Sequence, residues 1–120
     1  MMYDRNNIFA KILKGEIPCN KIYENEYVLS FYDINPQRKI HALVIPKGSY
    51  TDLDDFLKKG KEKEIIEFFK AITHVAKLLK VSNVEGGYRT LSNIGKNGGQ
   101  EVPHLHFHIF GGEKIGKMVN

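Results

Sequence analysis

The sequence predicts an α+β fold in which a five-stranded antiparallel sheet carries one long helix and one or two short helices. Five short stretches are rich in β-branched and aromatic residues, which is typical of strands. A single segment, residues 61–80, repeats its apolar residues at the spacing of a long amphipathic helix. Helices do not alternate regularly with the strands, so a parallel sheet built of βα units is not expected.

The composition is that of an ordinary globular protein, with 42% hydrophobic and 27% charged residues. We expect one domain over residues 1–120. No stretch approaches the about 18 apolar residues of a membrane helix, and the N-terminus lacks the apolar run of a signal peptide. The sequence therefore predicts a cytoplasmic protein without a membrane partner. Because Cys19 is the single cysteine, neither an intramolecular disulfide nor a CxxC zinc site is possible in the chain.

The net charge of +4 permits an anionic ligand. The lysines, however, are distributed along the chain and are not clustered with aromatic residues. This distribution favours a solvated surface over a nucleic-acid-binding stripe. We therefore expect no nucleic-acid partner.

In the N-terminal half, local patterns predict one helix and three strands. Asn6 or Asn7 is a candidate N-cap for the short helix IFAKILKG, which Gly15 ends. KIYE and YVLSFYDI, separated by a short polar turn, predict a hairpin. IHALVIPK predicts the third strand, which Pro46 ends because proline cannot donate to a neighbouring strand.

In the C-terminal half, TDLD at Thr51 resembles a capping box with aspartate in the place of Glu or Gln, and predicts a second short helix. The long helix over residues 61–80 packs through its apolar face, and His74 lies off that face, so it is expected at the surface. YRTLSNI predicts the fourth strand. The glycine-rich loop KNGGQEVP then leads into the fifth strand, HLHFHIF, which Gly111 and Gly112 end.

The segment HLHFHIF places a histidine at every second position, which in a strand puts the three histidines on one face and the apolar residues between them in the core. The histidines are His104, His106 and His108, and the core residues are Leu105, Phe107 and Ile109. The outer Cα atoms would lie about 13 Å apart, an awkward span for one zinc ion bound at about 2.1 Å from each ring. Read alone, the row leaves a nucleophile, a metal site that uses two histidines and a plain polar face as alternatives.

A histidine nucleophile needs a free lone pair on Nε2, which requires an acceptor such as a backbone carbonyl to hold Nδ1–H. His106, at the centre of the row, is best placed for this role. Phosphorus in an ester, anhydride or amidate is a suitable target, since its transfer depends on positioning and charge stabilisation. Glycine N–H groups, an imidazolium and Asn93 can supply both, so NGGQ, residues 97–100, is predicted to bind an anion and not merely to form a turn.

The histidine row also resembles the signature of the histidine triad (HIT) family, His-φ-His-φ-His-φ-φ with φ apolar, at every position. The resemblance extends to most of the chain and is to the bacterial type of the Hint-like branch, the purine nucleoside phosphoramidases. It is carried by IFAKILKGEIP, FYDINPQRKIHALVIPK, GYRTLSN and GGQEVPHLHFHIFGG. It implies the HIT fold, with the sheet extended to ten strands in a homodimer.

The resemblance implies an activity as well. The substrate is a purine nucleoside 5′-phosphoramidate, an amine linked to AMP or GMP, or an aminoacyl adenylate. The bond from phosphorus to the leaving group, a P–N bond in the phosphoramidates, is cleaved through a covalent nucleotidyl-histidine intermediate, and neither a metal nor another cofactor is expected.

By that resemblance, His106 is the nucleophile, His108 contacts the phosphate, His104 supports the row and His41 orients it. Asp33 takes the ribose hydroxyls, which suits a carboxylate because it can accept from both. A purine slot is lined by Ile34, Ile8, Phe9, Ile12 and Phe31, although core packing explains the same positions nearly as well. Asn93 and the backbone of Gly99, Gln100 and Glu101 surround the α-phosphate, and Phe107 is a further implied substrate-binding residue.

The sequence departs from the family pattern at two places. Glu101 stands where animal members carry a small hydroxyl residue, and a carboxylate repels a phosphate, so the backbone N–H of Glu101 is expected to make the contact. The segment GGEKIGKMVN lacks the tryptophan of animal members, which leaves the leaving group open. Two alternatives stay beside the phosphoramidase, namely a dinucleoside polyphosphate hydrolase of the Fhit-like branch and a nucleotide-binding regulatory module.

Overall fold

The computed structural model describes residues 2–119, so that Met1 and Asn120 of the expected domain lie outside the described residues. Five antiparallel strands form one sheet in the order β1-β2-β3-β5-β4, and helices accompany it, which confirms the predicted α+β class. The elements are α1 (Ile8–Leu13), β1 (Lys21–Glu24), β2 (Val28–Tyr32), β3 (Ile40–Pro46), α2 (Leu53–Lys59), α3 (Glu62–Leu78), a 3₁₀ turn (Asn83–Glu85), β4 (Tyr88–Leu91) and β5 (Phe107–Gly111).

The long helix α3 covers one face of the sheet. Its buried residues, among them Phe68 and Val75, pack against Val44 of the central strand β3 and Ile109 of β5. Leu105, which lies between two of the triad histidines, is only 1% exposed and belongs to the same cluster. The main hydrophobic core therefore lies between α3 and the sheet.

The opposite face of the sheet carries α1. Because side chains alternate along β3, Leu43 and Ile45 point away from α3 and pack with Phe9 of α1 and Phe31 of β2. The central strand is thus buried on both faces. His41 shares the α1 face of β3, two residues before Leu43, and this face holds the candidate site.

The structure corrects the extent of the fifth strand. Of the three triad histidines, only His108 lies in β5, because regular pairing begins at Phe107. The preceding backbone turns instead, as the N–H of His104 donates to the carbonyl of Val102 and the N–H of Leu105 donates to the carbonyl of Tyr50. The alternation of core and site residues nevertheless persists through the turn.

The other predicted elements differ only at their ends. Asn7 is the N-cap of α1, as predicted, and its side chain accepts from the N–H of Ala10 at 2.9 Å. For α2, the N-cap is Asp52 and not Thr51, because the Asp52 carboxylate accepts from the N–H of Asp55 at 2.8 Å. The Asp55 carboxylate reaches back to the N–H of Thr51, which completes a reciprocal cap displaced by one residue.

Within residues 2–119, no helix has both the length and the apolar character needed to cross a membrane.

Candidate active site

A cavity of about 410 Å³ opens on the α1 face of the sheet and collects the residues on which the functional expectations depend. Three of the four predicted catalytic histidines line it, and the fourth, His104, lies directly behind them. The lining residues are Phe9, Asp33, Asn35, Gln37, His41, Leu43, Asn93, Gly99, Glu101, Val102, His106 and His108. Residues from both halves of the chain are thus brought together at one place.

His104 is fully buried and both of its ring nitrogens are bonded. Nε2 lies 2.9 Å from the carbonyl oxygen of Pro46, which can only accept, so this nitrogen carries the proton. Nδ1 then accepts from the hydroxyl of Tyr3 at 2.5 Å. Burial, the largest influence, lowers the pKa of His104 to about 4, and the imidazole is therefore neutral at pH 7.

His106 is held in the tautomer that a nucleophile needs. Its Nδ1 lies 2.7 Å from the backbone carbonyl oxygen of His104, so Nδ1–H donates and the lone pair remains on Nε2. Burial lowers the pKa of His106, against the opposing influence of the carboxylates of Asp33 and Glu101. The ring also packs edge-on against Phe9, with centroids 5.0 Å apart, which limits its rotation.

A chain of hydrogen bonds fixes the proton of His108. The backbone N–H of Gln37 donates to Nδ1 of His41 at 3.0 Å, so the proton of neutral His41 is on Nε2. That Nε2 lies 2.9 Å from Nδ1 of His108, which must accept. His108 therefore carries its own proton on Nε2, which leaves an N–H donor on a residue that lines the cavity.

Both histidines of this hydrogen-bonded pair, His41 and His108, are neutral at pH 7. Burial is the main cause that lowers the pKa of His41, and burial together with the charges of His106 and His41 lowers the pKa of His108 to about 4. An imidazolium was expected to help stabilise the phosphate. Burial disfavours this charged form, so that at pH 7 the Nε2–H of His108 is available as a neutral donor.

Asp33 follows β2 and is oriented by the turn after it. One carboxylate oxygen accepts from the N–H of Asn35 at 2.8 Å, and the other lies 3.4 Å from Nε2 of His41. The carboxylate is partly exposed and lines the cavity, so it is accessible to hydroxyl donors of a ligand.

Asp33, His41 and His108 also form a group whose possible metal-ligating atoms lie within 4.8 Å of one another. The hydrogen bonds oppose such use, because the donation from Gln37 puts the proton of His41 on the nitrogen that would have to bind the ion. A bound ion would force that proton onto Nδ1, where it would face the N–H of Gln37. The residues therefore fit a hydrogen-bonded chain better than a metal centre.

The glycine-rich loop contributes to the cavity in part. Gly99 and Glu101 line it, as does Asn93 from the segment after β4, and Gly99 has a positive φ of 78° that favours glycine. Gln100 has a different part, since its side-chain amide donates to the carbonyls of Thr51 and Val102. Gln100 thus braces the loop, and its side chain is not in the cavity lining.

Most of the predicted apolar substrate residues lie outside the cavity lining. Phe9 lines the cavity, whereas Phe31 is buried in the cluster beneath α1 and Ile12 packs against that cluster. Ile8 is 40% and Ile34 82% exposed, and neither lines the cavity. The side chain of Phe107 points to the α3 side, against Phe68 and Phe69, because it alternates with His106 and His108.

Sequence reasoning missed several members of the site. Leu43 could have been found from its position two residues after His41 on a strand, which puts both side chains on one face. Gln37 acts through its backbone N–H, for which no side-chain pattern exists. Tyr3 lies 101 residues from its partner His104, and no local pattern joins them.

The HIT domain family matches residues 14–115 of the chain. A protein of Azospirillum brasilense, described as an uncharacterized 13.2 kDa HIT-like protein, is 53% identical over 117 residues, which are 98% of this chain and 94% of that protein. The purine nucleoside phosphoramidase of Escherichia coli strain K12 is 35% identical over 113 residues, which are 93% of this chain and 92% of that enzyme.

Solved structures agree with this assignment. A histidine triad protein from Clostridium difficile has a TM-score of 0.82 and 39% identity, over 97% of this chain and 98% of that chain. A HIT family hydrolase from Clostridium thermocellum has a TM-score of 0.83 and 37% identity, over 98% of this chain and 99% of that chain. With the signature, the fold and nearly the whole length in agreement, the chain belongs to the HIT family.

Proposed function

We propose that this HIT-family hydrolase cleaves the P–N bond of purine nucleoside 5′-phosphoramidates, such as AMP- and GMP-linked amines, and also the acyl-phosphate P–O bond of aminoacyl adenylates. The observation that carries the proposal is the 2.7 Å contact between Nδ1 of His106 and the carbonyl of His104, which leaves a lone pair on Nε2 in a cavity that also holds Asp33. The purine base and the amine are supported by the named activity of the Escherichia coli relative.

The reaction proceeds in two displacements at phosphorus. In the first, Nε2 of His106 attacks, the bond to the leaving nitrogen breaks, and the amine takes up a proton as it departs. In the second, water attacks, the bond between phosphorus and His106 breaks, and the water loses a proton. The products are the nucleoside monophosphate and the amine, and His106 returns to its neutral form.

Neighbouring groups have separate parts in these steps. The carbonyl of His104 accepts from Nδ1–H of His106 while the ring becomes positively charged, which stabilises the intermediate. The Nε2–H of His108 donates to a phosphoryl oxygen, and Asp33 accepts from the ribose hydroxyls. Gly99, the backbone N–H of Glu101 and Asn93 are proposed to surround the phosphate.

The charges of the cavity support a phosphoramidate over a polyphosphate. Among the described residues that line it, the formal charges come from Asp33 and Glu101, and none is lysine or arginine. A nucleoside phosphoramidate carries one negative charge at phosphorus, whereas a dinucleoside polyphosphate carries several, which two carboxylates would repel. The negative charge of the cavity thus disfavours the Fhit-like alternative, a dinucleoside polyphosphate hydrolase.

The proposal is tested by measuring the intact mass of the protein after rapid quenching with an adenosine phosphoramidate. We expect an added nucleotidyl group that maps to His106. His106→Ala should lose turnover and the adduct while it still binds AMP, and His74→Ala, which removes an exposed histidine of α3, should keep both. Full turnover in His106→Ala would refute the mechanism, and AMP binding without turnover in the wild-type protein would favour a regulatory module.

We also propose a cytoplasmic homodimer in which two sheets join into one of ten strands. The support is the position of β4 at one edge of the sheet and the exposure of Phe69, Ile66 and Leu78 along α3. Light scattering after size-exclusion chromatography should give twice the chain mass of 13.8 kDa. A mass of one chain at micromolar concentration would contradict the proposal.

A further inference from the structure

We propose that Glu101 selects leaving amines that carry a second, non-reacting positive charge, such as an ammonium or guanidinium group. The inference rests on the phosphoramidase activity proposed above and specifies its substrate class. It concerns the side chain of Glu101, whereas the phosphate contact assigned to this residue is made by its backbone N–H.

The cavity has two carboxylates, and only one of them has an assigned partner in the substrate. Asp33 is held by the N–H of Asn35 at 2.8 Å and by the neighbouring His41, and it accepts from the ribose. Glu101 lies in the loop before the histidines and lines the same cavity. The carboxylate that remains for the leaving group is therefore that of Glu101.

The Glu101 carboxylate has no bonding partner among the described residues. Over residues 2–119, no hydrogen bond or ion pair involves its side chain, and the residue is exposed. Glu24, by comparison, is paired with Lys21 and Lys47. An anion at the rim of a cavity without a cation of its own is free to pair with a cation of the ligand.

The Glu101 carboxylate is also close enough to His106 to influence the reacting group. The charge of Glu101 favours the protonated form of His106, as that of Asp33 does, although burial outweighs both. A leaving group attached to phosphorus opposite Nε2 of His106 would therefore depart within the field of this carboxylate. A leaving amine with a further positive charge is stabilised by that field, and a leaving amine without one is not.

The test compares two adenosine 5′-phosphoramidates of matched length, one made from 1,4-diaminobutane through a single nitrogen and one made from pentylamine. We expect kcat/KM to be about 5-fold higher for the cationic substrate, which is the size of a partly exposed ion pair. Glu101→Gln should remove this preference, while Glu62→Gln, an exposed carboxylate of α3, should keep it. The preference should also fall as salt is added.

Equal rates for the two substrates, or a preference that survives in Glu101→Gln, would overturn the inference while the phosphoramidase activity stands. Failure to cleave either substrate would instead refute the proposed function. In that event, the affinities of the two compounds for the His106→Ala variant give a readout that needs no turnover. Equal affinities there would overturn the role of Glu101 as well.

Discussion

At the scale of single residues, each histidine of the site has its proton placed by a different neighbour. His104 donates to the carbonyl of Pro46, and His106 donates to the carbonyl of His104. His41 accepts from the N–H of Gln37 and therefore donates to His108. None of the bonds requires a charged imidazole, and burial makes the charged forms unfavourable. The site is therefore ready for nucleophilic attack without a prior loss of protons at neutral pH.

The lowered pKa of His106 predicts the acid limb of the pH–rate profile. Attack needs the unprotonated ring, and because burial lowers its pKa below the usual value of 6.5, the acid limb of kcat/KM should be centred below pH 6.5. Initial rates with an adenosine phosphoramidate between pH 4.5 and 8 measure this, and an acid limb centred at or above pH 6.5 would contradict the assignment.

The side chains of the site were largely predictable and the groups that orient them were not. The spacing of three histidines, Asp33 and the glycine loop carry chemical signals in the sequence itself. The donor to His41 is a backbone amide, and the partner of His104 is the distant Tyr3, so their roles exist only once the chain is folded. Of the residues predicted to line a purine slot, Phe9 lines the cavity, whereas Phe31 is buried in the cluster beneath α1.

At the scale of elements, apolar periodicity predicted the helices and strands because burial enforces it on each face. It failed at residues 104–106, where HLH alternates as a strand does although the backbone turns. Two features cause this turn. The N–H of Leu105 donates to the distant carbonyl of Tyr50 at 2.8 Å, and Pro103 has no N–H to donate to a neighbouring strand. The predicted alternation of side chains is confirmed, whereas the predicted strand hydrogen bonding is wrong at these residues.

The glycine-rich loop gives a prediction at this scale. A Cβ added at Gly98 would meet the carbonyl oxygen of Ile94 at 2.3 Å, so Gly98→Ala must displace the loop next to Gly99. We expect kcat/KM to fall about 10- to 100-fold, since small misplacements of phosphate donors are costly. Steady-state kinetics and circular dichroism together separate this loss from unfolding.

Gly87→Ala is the matched control for this experiment. Gly87 has a positive φ of 92° and free space around an added Cβ, so the variant should lose about 1 kcal/mol of stability and keep its activity. An unimpaired Gly98→Ala enzyme would show that the loop does not position the phosphate.

At the scale of the whole molecule, the same buried histidines make stability depend on pH. His104 has a pKa of about 4 in the folded protein and near 6.5 when unfolded, so protons bind preferentially to the unfolded chain. The free energy of unfolding should therefore be highest above pH 6.5. It should fall by on the order of 3 kcal/mol from His104 as the pH drops from 6.5 to 4.

Urea unfolding at pH 7 and pH 5 measures this dependence. His104→Gln, which cannot gain a proton, should lose less stability between the two pH values than the wild type does, although it starts from a lower value. Equal losses in both proteins would mean that other groups dominate the acid response.

The acceptor that sets the tautomer of His106 and the donor that sets that of His41 both belong to the main chain. A point mutation changes side chains, so it leaves the carbonyl of residue 104 in place whatever amino acid is encoded there, and it deletes the N–H of residue 37 only by introducing proline. The tautomers of His106 and His41 are thus set by the path of the backbone and not by neighbouring side chains. Replacing His104 or Gln37 by another residue that keeps its backbone N–H and carbonyl should therefore leave His106 and His41 in the same tautomers.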